Sequence, residues 1–240
     1  MGRRLILSAI IVAALMIGGF GCMGINLFGS NDTKEPKLSV NKVALLHMEE
    51  KYGEPFEFVR VWGDSMSGTR QFMAKCDSLP GEEILVQIEN YRDENKIYRD
   101  NYLAVKYREE TIAFIRDCAM KEFDDVNIYY EAAPDGQSPE LTAATSFEGF
   151  MSDTRVPINI MLEVKDRSFS SKAQAEKVAG LIAESVACYY LTIAVVENSL
   201  FGTFDNDALE DELVFGRFVY CAKITRLDGN IKVKWLERKD

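Results

Sequence analysis

The sequence holds little histidine. His47 is the single one among 240 residues, which excludes histidine-rich metal sites and leaves any histidine-dependent catalytic triad resting on this side chain. His47 lies in the segment NKVALLHMEEKYG, whose apolar residues recur at helical spacing. We therefore interpret it as a residue on the surface or at the core edge of a helix.

Basic residues are scarce as well. The chain carries 28 Lys and Arg against 38 Asp and Glu, a net charge of −10, and no cluster of basic residues interrupts the acidity along the sequence. An acidic body repels phosphate backbones, so no nucleic acid is expected as a partner. Binding of the body to anionic lipid through a basic patch has no support in the sequence either.

Motifs of common enzyme classes are missing too. No P-loop occurs, and Ser65 and Ser67 of the turn-like GDSMSG are not set in a G-x-S-x-G elbow. We predict no catalytic, cofactor-binding or metal-binding residues, and no cofactor. The numerous tyrosines are interpreted as core or sheet-surface residues.

Cysteine spacing fits no redox or metal motif. Cys76, Cys118, Cys188 and Cys221 are separated by 42, 70 and 33 residues, unlike a C-x-x-C arrangement. We interpret the four as buried free thiols, although an oxidising compartment would leave three disulfide pairings open. The fifth cysteine, Cys22, belongs to the N-terminal segment.

The segment DNDALEDE at 205–212 is dense in carboxylates. It holds five Asp and Glu residues. An EF-hand loop requires an oxygen ligand at its fifth position and a glycine at its sixth, but here Leu209 stands at the fifth and no glycine follows. We interpret it as a solvated acidic loop, with weak Ca²⁺ binding as the alternative.

Residues 1–28 form a predicted signal or anchor segment. Arg3 and Arg4 precede an apolar run from Leu5 to Ile17, and glycines lead into Cys22. Positive charge, apolar core and small residues in this order are typical of a secretory signal.

Three fates of this segment stay open. Gly21-Cys22 resembles the end of a bacterial lipobox, in which the cysteine receives diacylglycerol, although Gly19 and Phe20 depart from that pattern. Alternatively, the 24 residues of 5–28, about 36 Å long as a helix, would span the ~30 Å hydrocarbon core. The third fate is cleavage and release. Under the first two, the positive N-terminus stays in the cytoplasm and the body faces outward at the cell membrane.

Turn-rich segments divide the rest of the chain. Residues 29–38 are a polar linker, and the Pro- and Gly-containing segment 133–140 is the best internal boundary. We therefore predict an N-terminal α+β module at 39–135 and a C-terminal α+β module at 140–240. The two could also form one continuous domain.

The N-terminal module is predicted to be an antiparallel sheet meander flanked by helices. Ser39 and Gly53 bracket the first helix as N-cap and C-terminal stop. Strands are expected at 56–62, 69–76, 83–91 and 97–107, the last with Leu103, Val105 and Tyr107 on one face. A helix at 108–123, with Ile112, Ile115, Ala119 and Phe123 inward, and a strand at 126–132 complete the module.

The C-terminal module is predicted to be a βαβ segment followed by a hairpin, which makes the fold class α+β. The expected elements are a strand at 156–164, a helix opened by a Ser171–Gln174 capping box, and a mostly apolar strand at 189–197 that suits a central position covered on both faces. Asp228-Gly229 predicts a two-residue turn that pairs Ile224 with Val233 and Ala222 with Trp235. Ile231, Val233 and Trp235 should then face the core, and Lys232 and Lys234 should face water.

Two short motifs resemble those of one group of proteins. The first motif has Lys51, Tyr52, Gly53, Phe56 and Glu57, and the second has Asp100, Asn101, Tyr102 and Leu103. This KYG-x-x-FE … DNYL pattern, within about residues 45–120, is similar to that of uncharacterised membrane-anchored or secreted proteins of Gram-positive bacteria. The resemblance implies an envelope protein of small α+β design and carries no activity or site. From their physical chemistry alone, the motif residues are interpreted as structural.

We therefore expect a membrane-anchored cell-envelope protein whose outward-facing acidic domain is a non-enzymatic binding or structural module. Its expected partners are the membrane, reached through the N-terminal anchor with Cys22 as lipid-attachment residue, and an envelope protein or peptide. The alternative is a carboxylate-dependent envelope hydrolase. Two carboxylates about 5–9.5 Å apart in a deep cleft would favour the hydrolase, and a flat sheet face with apolar exposure would favour binding.

Overall fold

Two β-sheets organise the part of the chain that the structure describes. The computed structural model describes residues 39–64, 68–132, 140–153, 157–205, 208, 218–227 and 229–237. The first sheet is an antiparallel meander in the order β1 (Glu57–Asp64), β2 (Arg70–Lys75), β3 (Ile84–Glu89) and β4 (Ile97–Asp100). The second has the order β5 (Val126–Glu131), β6 (Ile158–Lys165), β7 (Tyr189–Val196), β8 (Tyr220–Leu227) and β9 (Asn230–Glu237).

Helices connect and flank the strands. They are α1 (Val40–Tyr52), α2 (Tyr102–Lys106), α3 (Arg108–Ala119), α4 (Phe147–Ser152) and α5 (Lys172–Ala183). The fold class is α+β, as predicted. Helix α4 was not predicted, because its 6 residues are too few to show a helical period.

Helix α1 begins and ends where the sequence predicts. The Ser39 side chain accepts a hydrogen bond from the Lys42 backbone N–H at 3.3 Å, and Gly53 adopts the left-handed conformation with φ 74°. Only glycine adopts that conformation without a steric penalty, so the chain turns there into β1.

The prediction of one strand over 97–107 is wrong beyond Asp100. Strand β4 ends there, and α2 begins at Tyr102. Asn101 stops the strand, because its side chain accepts from the Leu85 N–H at 2.8 Å and donates to the Ala132 carbonyl at 2.6 Å. Four of the five α2 residues are buried, so the alternation that suggested a strand is coincidental.

Helix α3 is shorter than predicted, and its buried stripe is displaced. It ends at Ala119, and its buried residues are Thr111, Ile115, Cys118 and Ala119, whereas Ile112 is half-buried. The polar Thr111 fits inside because its hydroxyl donates to the Tyr107 carbonyl at 2.7 Å. Phe123 is buried beyond the helix end.

The βαβ unit of the second half is confirmed. Strands β6 and β7 pair in parallel, with α5 between them in the chain. The capping box of Ser171 and Gln174 is present at the start of α5. As predicted, β7 is central, since it also pairs with β8. The expectation that it is covered on both faces is wrong, because Tyr190 is exposed on the face away from the helices.

The hairpin has the predicted register with one correction. Ile224 pairs with Val233 and Ala222 with Trp235, and Val233 and Trp235 pack against the core at half burial. Ile231, expected to face the core, is 42% exposed because it lies next to the turn, beyond the reach of the core.

Apolar residues of both predicted modules share one hydrophobic cluster, which includes Phe72 and Ile88 of the first sheet and Leu162 and Leu191 of the second. Residues 38–240 form one compact unit. Helices α3 and α5 pack together and contact β5 and β8, respectively, on one face of the second sheet. The opposite face of that sheet is therefore the surface that these two helices leave free.

Several predicted features lie outside the described residues. They are the anchor at 1–28 with Cys22, the linker at 29–38, Ser65 and Ser67, the boundary segment up to 139, Asp228, and all of the acidic loop except Asp205 and Ala208. Within the described ranges, no helix has the length and apolar character needed to cross a membrane.

Candidate functional site

Strand β7 shows how the two faces of the second sheet differ. Leu191 and Ile193 are buried in the main core, whereas the alternating residues Tyr190 and Thr192 lie on the opposite face, exposed and half-buried, respectively. Since side chains alternate along a strand, the strand register places the neighbours of Tyr190 and Thr192 on the same face.

Two rows of side chains cross all five strands on this face. The first row is Glu131, Asn159, Tyr190, Thr225 and Lys232, and the second is Tyr129, Met161, Thr192, Lys223 and Lys234. All ten residues are exposed or half-buried. We call these ten residues the open face.

The open face has a shallow cleft at its β5–β7 side. The cleft has a volume of about 280 Å³. Its lining residues are Tyr129, Glu131, Asn159, Ile160, Met161, Tyr190 and Thr192. Tyr190 is 42% exposed, so an aromatic side chain, an amide and a carboxylate are all available to a ligand there.

Three lysines gather at the β8–β9 side of the open face. Lys223 lies directly opposite Lys234, and Lys232 lies opposite Thr225 in the adjacent row. All three lysines are exposed. Like charges directly opposite each other destabilise a sheet. The pairing of Lys223 with Lys234 therefore does not serve the stability of the fold.

A buried glutamate closes one end of the open face. Glu163 is 0% exposed. Its carboxylate accepts hydrogen bonds from Asn127 Nδ2 at 2.7 Å, from the Gly202 N–H at 3.1 Å and from the Tyr129 hydroxyl at 3.2 Å. Burial and, next, the charge of Glu163 raise the pKa of Tyr129 to about 12.

The loop that Glu163 holds carries its own small apolar cluster. Phe201 and Phe204 pack against Ala194 and Val196 of β7, and the Phe204 carbonyl accepts from the Tyr129 hydroxyl at 3.1 Å. This cluster covers the part of the outer sheet surface next to Glu163. The open face is consequently a bounded area with a fixed edge.

The two sequence motifs meet in a separate place, between α1 and the end of β4. Lys51 Nζ donates to Asp100 Oδ2 at 2.8 Å, and the Tyr52 hydroxyl donates to Asp100 Oδ1 at 2.7 Å. The ring centroids of Tyr52 and Tyr102 lie 4.2 Å apart, and those of Phe56 and Tyr102 5.7 Å apart. These contacts give the two motifs a structural role, although Asp100 is buried and not part of an exposed polar edge.

Glu54 extends this network toward solvent. It accepts hydrogen bonds from the Tyr102 and Ser78 hydroxyls, each at 2.6 Å. Burial acts to raise the pKa of Glu54, but the hydrogen bonds from Ser78 and Tyr102 outweigh it and leave the pKa below its ordinary value. Burial and the bond to Glu54 raise the pKa of Tyr102 to about 12. The proton therefore stays on the tyrosine, and Glu54 stays a carboxylate.

A larger cavity next to this network contains the carboxylates that a hydrolase would need. It measures about 540 Å³, and its lining includes four acidic residues, Glu57, Asp77, Glu82 and Glu83. Three of them form ion pairs: Glu57 with Lys75 at 3.0 Å, Glu82 with Arg108 at 2.7 Å and Glu83 with Arg60 at 2.5 Å. These three carboxylates are therefore already held in place by basic side chains.

The four cysteines of the body and the histidine lie where the sequence predicted. Cys76, Cys118 and Cys221 are buried free thiols, Cys188 is buried as well, and burial raises the pKa of Cys221 to about 11. His47 is half-buried on α1, with its ring centroid 5.0 Å from that of Tyr98, which is a core-edge position.

Sequence reasoning missed the lysine cluster. Along the chain these lysines are isolated, so no basic segment is visible. The predicted hairpin register contained the information, however, because pairing Ile224 with Val233 also sets Lys223 opposite Lys234. Glu163 was missed as well, since nothing in the strand sequence distinguishes it from a solvent-facing residue.

Comparison with known proteins gives one structural likeness. No protein-family model matches the chain, and no curated protein matches it. The fold is similar to the crystal structure of a DUF5037 family protein from Ruminococcus gnavus ATCC 29149, with a TM-score of 0.45 and 9% sequence identity, over 81% of this chain and 94% of that one.

Proposed function

We propose that this protein is a membrane-anchored component of the cell envelope, and that its acidic body lies on the extracytoplasmic side of the cell membrane and works as a non-enzymatic binding module. The open face is its proposed binding surface. The observation that carries this proposal is the set of ten solvent-accessible side chains on the sheet surface opposite helices α3 and α5.

The composition of the open face supports recognition of a partner. A solvent-facing sheet needs only polar residues for solubility. This one instead combines an exposed tyrosine, a cleft and three clustered lysines. Convergent polar groups beside a concave, partly apolar surface are typical of binding sites.

The anchored location rests on the N-terminal sequence. Arg3 and Arg4, the apolar run and Cys22 occur in the order of a secretory signal or lipoprotein leader. The envelope hydrolase is the weaker alternative, because three of the four carboxylates in the larger cavity have cationic partners.

Site-specific photo-crosslinking in intact cells tests the binding proposal. A photoreactive residue at Tyr190 reports on the open face, and one at the exposed Glu176 of α5 is the matched control on the opposite side of the second sheet. Adducts in the envelope fraction at 190 but not at 176 would support the open face. Equal adducts at both positions, or none, would contradict it.

Protease added outside intact cells tests the location. We expect cleavage of the body beyond residue 40 and retention of the protein in the membrane fraction. Recovery of a protected, soluble protein from the cytoplasm would overturn the envelope assignment without bearing on the open face.

A further inference from the structure

We infer that the open face binds an anionic glycan, whose sugar rings lie on Tyr190 and the cleft and whose phosphate or carboxylate groups lie on Lys223, Lys232 and Lys234. This inference rests on the proposed function, in which the open face is the binding surface. It goes further by naming the chemical class of the ligand and its direction across the strands.

The cleft side has the chemistry that a sugar ring requires. The exposed Tyr190 ring offers an apolar surface to the C–H groups of a pyranose or furanose ring. Asn159, Glu131 and Thr192 beside it provide an amide, a carboxylate and a hydroxyl for sugar hydroxyl groups. At about 280 Å³ the cleft is just below the size of ordinary small-molecule pockets, about 300–1,000 Å³, so it holds only part of a ligand that continues along the sheet.

The lysine side has the chemistry that anionic groups require. Lys223 and Lys234 face each other across β8 and β9, so a phosphate or carboxylate between them would relieve the repulsion between the two ammonium groups. Strands lie about 4.8 Å apart, which puts the lysines of β9 roughly 10 Å from Tyr190 on β7. A ligand that reaches both sides is therefore an oligomer of several sugar units and not a monosaccharide.

The acidity of the whole protein does not prevent this local attraction. Charges farther apart than a Debye length, about 8 Å at physiological ionic strength, are largely screened. A bound anion at the lysine cluster is therefore governed by the three nearby ammonium groups and not by the net charge of −10. Added salt should weaken binding; if the net charge dominated instead, added salt would strengthen it.

The same surface is a poor match for a protein or peptide partner. The buried centre of a protein interface is apolar and depleted in charge. Among the ten open-face residues, Tyr190 is the one large apolar side chain that is well exposed, and four of the ten are charged. An acidic peptide could meet the lysines, but it would make little use of Tyr190 and the cleft.

Binding assays with the full-length protein in a mild detergent test the inference. The probes are oligogalacturonate, which carries carboxylates, phosphorylated dextran, which carries phosphates, neutral dextran and polyglutamate. We expect binding of one or both anionic glycans, no measurable binding of neutral dextran, and weaker binding at higher salt. The two anionic glycans distinguish the carboxylate source from the phosphate source.

Three variants assign the contacts. K223A/K234A should lower the affinity for the anionic glycan on the order of fivefold to tenfold. Y190A should lower it for the glycan but not for polyglutamate. K121A/K177A removes two exposed lysines outside the open face and is the matched control, so it should leave the affinity unchanged. Since all of these side chains are exposed, each variant is expected to fold, and thermal melts check this.

Two results would overturn the inference in different ways. Tighter binding of polyglutamate, with no effect of Y190A, would replace the glycan by an acidic peptide and leave the open face as the binding surface. No binding of any anionic probe, or equal losses in the control variant, would reject anion recognition. The proposed function fails separately, when crosslinking at 190 gives no adduct in cells.

Discussion

The Nζ atom of Lys51 lies 2.8 Å from Oδ2 of Asp100, and both side chains are buried, with 8% and 4% exposed, respectively. The second oxygen of Asp100 accepts from the Tyr52 hydroxyl and, at 3.0 Å, from the Tyr102 N–H. This carboxylate thus joins α1 to the end of β4 and to the start of α2. It links parts of the chain that are 49 residues apart.

Replacement of Asp100 by Asn should destabilise the fold by about 3–5 kcal/mol, because it leaves the Lys51 ammonium buried without a counter-charge. Denaturant melts of the full-length protein measure the loss. K51M/D100N should recover part of it. Lys75→Met, which breaks the exposed pair with Glu57, should cost less than about 1 kcal/mol, and a similar cost for both single variants would refute this account of Asp100.

The residues that begin and end helices and form turns could be predicted from the sequence. The cap at Ser39, the stop at Gly53 and the capping box at Ser171 act within a few residues of themselves. The turn residue Gly229 sets the register of the whole hairpin by the same local logic. These features need no knowledge of the rest of the fold.

Features that depend on distant partners could not be predicted. Asn101 ends β4 because it bonds to Leu85 and Ala132, which lie 16 and 31 residues away. Glu163 is buried because the Gly202 N–H, 39 residues later, bonds to its carboxylate. Alternation of apolar residues cannot distinguish a strand from a short helix that is buried on most sides.

Two adjacent tyrosines allow a test of alkaline stability. Burial raises the pKa of Tyr189 to about 12, whereas Tyr190 is exposed. An unfolded tyrosine ionises near pH 10, so between pH 10 and 12 unfolding releases a proton that the folded state retains. Stability due to Tyr189 is therefore complete below pH 10 and is lost as the pH rises toward 12.

We expect Tyr189→Phe to reduce the loss of stability between pH 10 and 12, at the cost of the hydrogen bond to the Ala179 carbonyl, about 1 kcal/mol at neutral pH. Tyr190→Phe is the control for the loss of a tyrosine hydroxyl at a neighbouring exposed position. The measurement is the melting temperature of both variants at several pH values between 10 and 12. If the melting temperature falls equally steeply with pH in the two variants, Tyr189 is not the source of the alkaline loss of stability.

Glu163→Gln should loosen the loop at Gly202. Asn127 and Tyr129 both bond to Oε2 of Glu163, so one amide oxygen can keep them. The amide NH2 then replaces Oε1, which accepts from the Gly202 N–H at 3.1 Å, so two buried donors face each other at a cost of about 1–3 kcal/mol. Amide hydrogen exchange at Gly202 should become faster. Removal of the Glu163 charge should also lower the pKa of Tyr129 from about 12, while burial keeps it above its ordinary value.

The exposed Glu131 on β5 provides the control for that experiment. Glu131→Gln keeps the buried network intact, so exchange at Gly202 and the pKa of Tyr129 should not change. If Glu163→Gln also left exchange at Gly202 unchanged, the carboxylate would not be what holds the loop.

Cys22→Ala distinguishes the two ways of anchoring. A lipid on Cys22 predicts that the variant loses its lipid mass and its processing and leaves the membrane fraction. A transmembrane helix predicts an unchanged location and no change in mass beyond that of the substitution itself, because Ala is harmless in an apolar helix. Mass spectrometry and fractionation read both outcomes, and Cys76→Ala, in the body, controls for loss of a cysteine as such.

Substitutions in the C-terminal hairpin should destabilise the fold according to the burial and backbone conformation of the residue replaced. Trp235 is half-buried, with its ring centroid 6.2 Å from that of Phe169 and 5.2 Å from Lys172 Nζ. Trp235→Ala should therefore cost about 2 kcal/mol, less than the about 3–5 kcal/mol of a fully buried aromatic. Gly229 has φ 79° with open space where a Cβ would lie, so Gly229→Val should cost about 1–2 kcal/mol through its backbone alone.

Lys232→Ala is the matched control on the opposite side of the hairpin and should change stability by less than about 0.5 kcal/mol, because the side chain is exposed. Denaturant melts of the three variants, compared at one pH, order them as Trp235, Gly229 and Lys232. Damage from Lys232→Ala equal to that from Trp235→Ala would mean that the hairpin presents its other face to the core. The lysines would then be buried by the fold, and the open face could not bind anions through them.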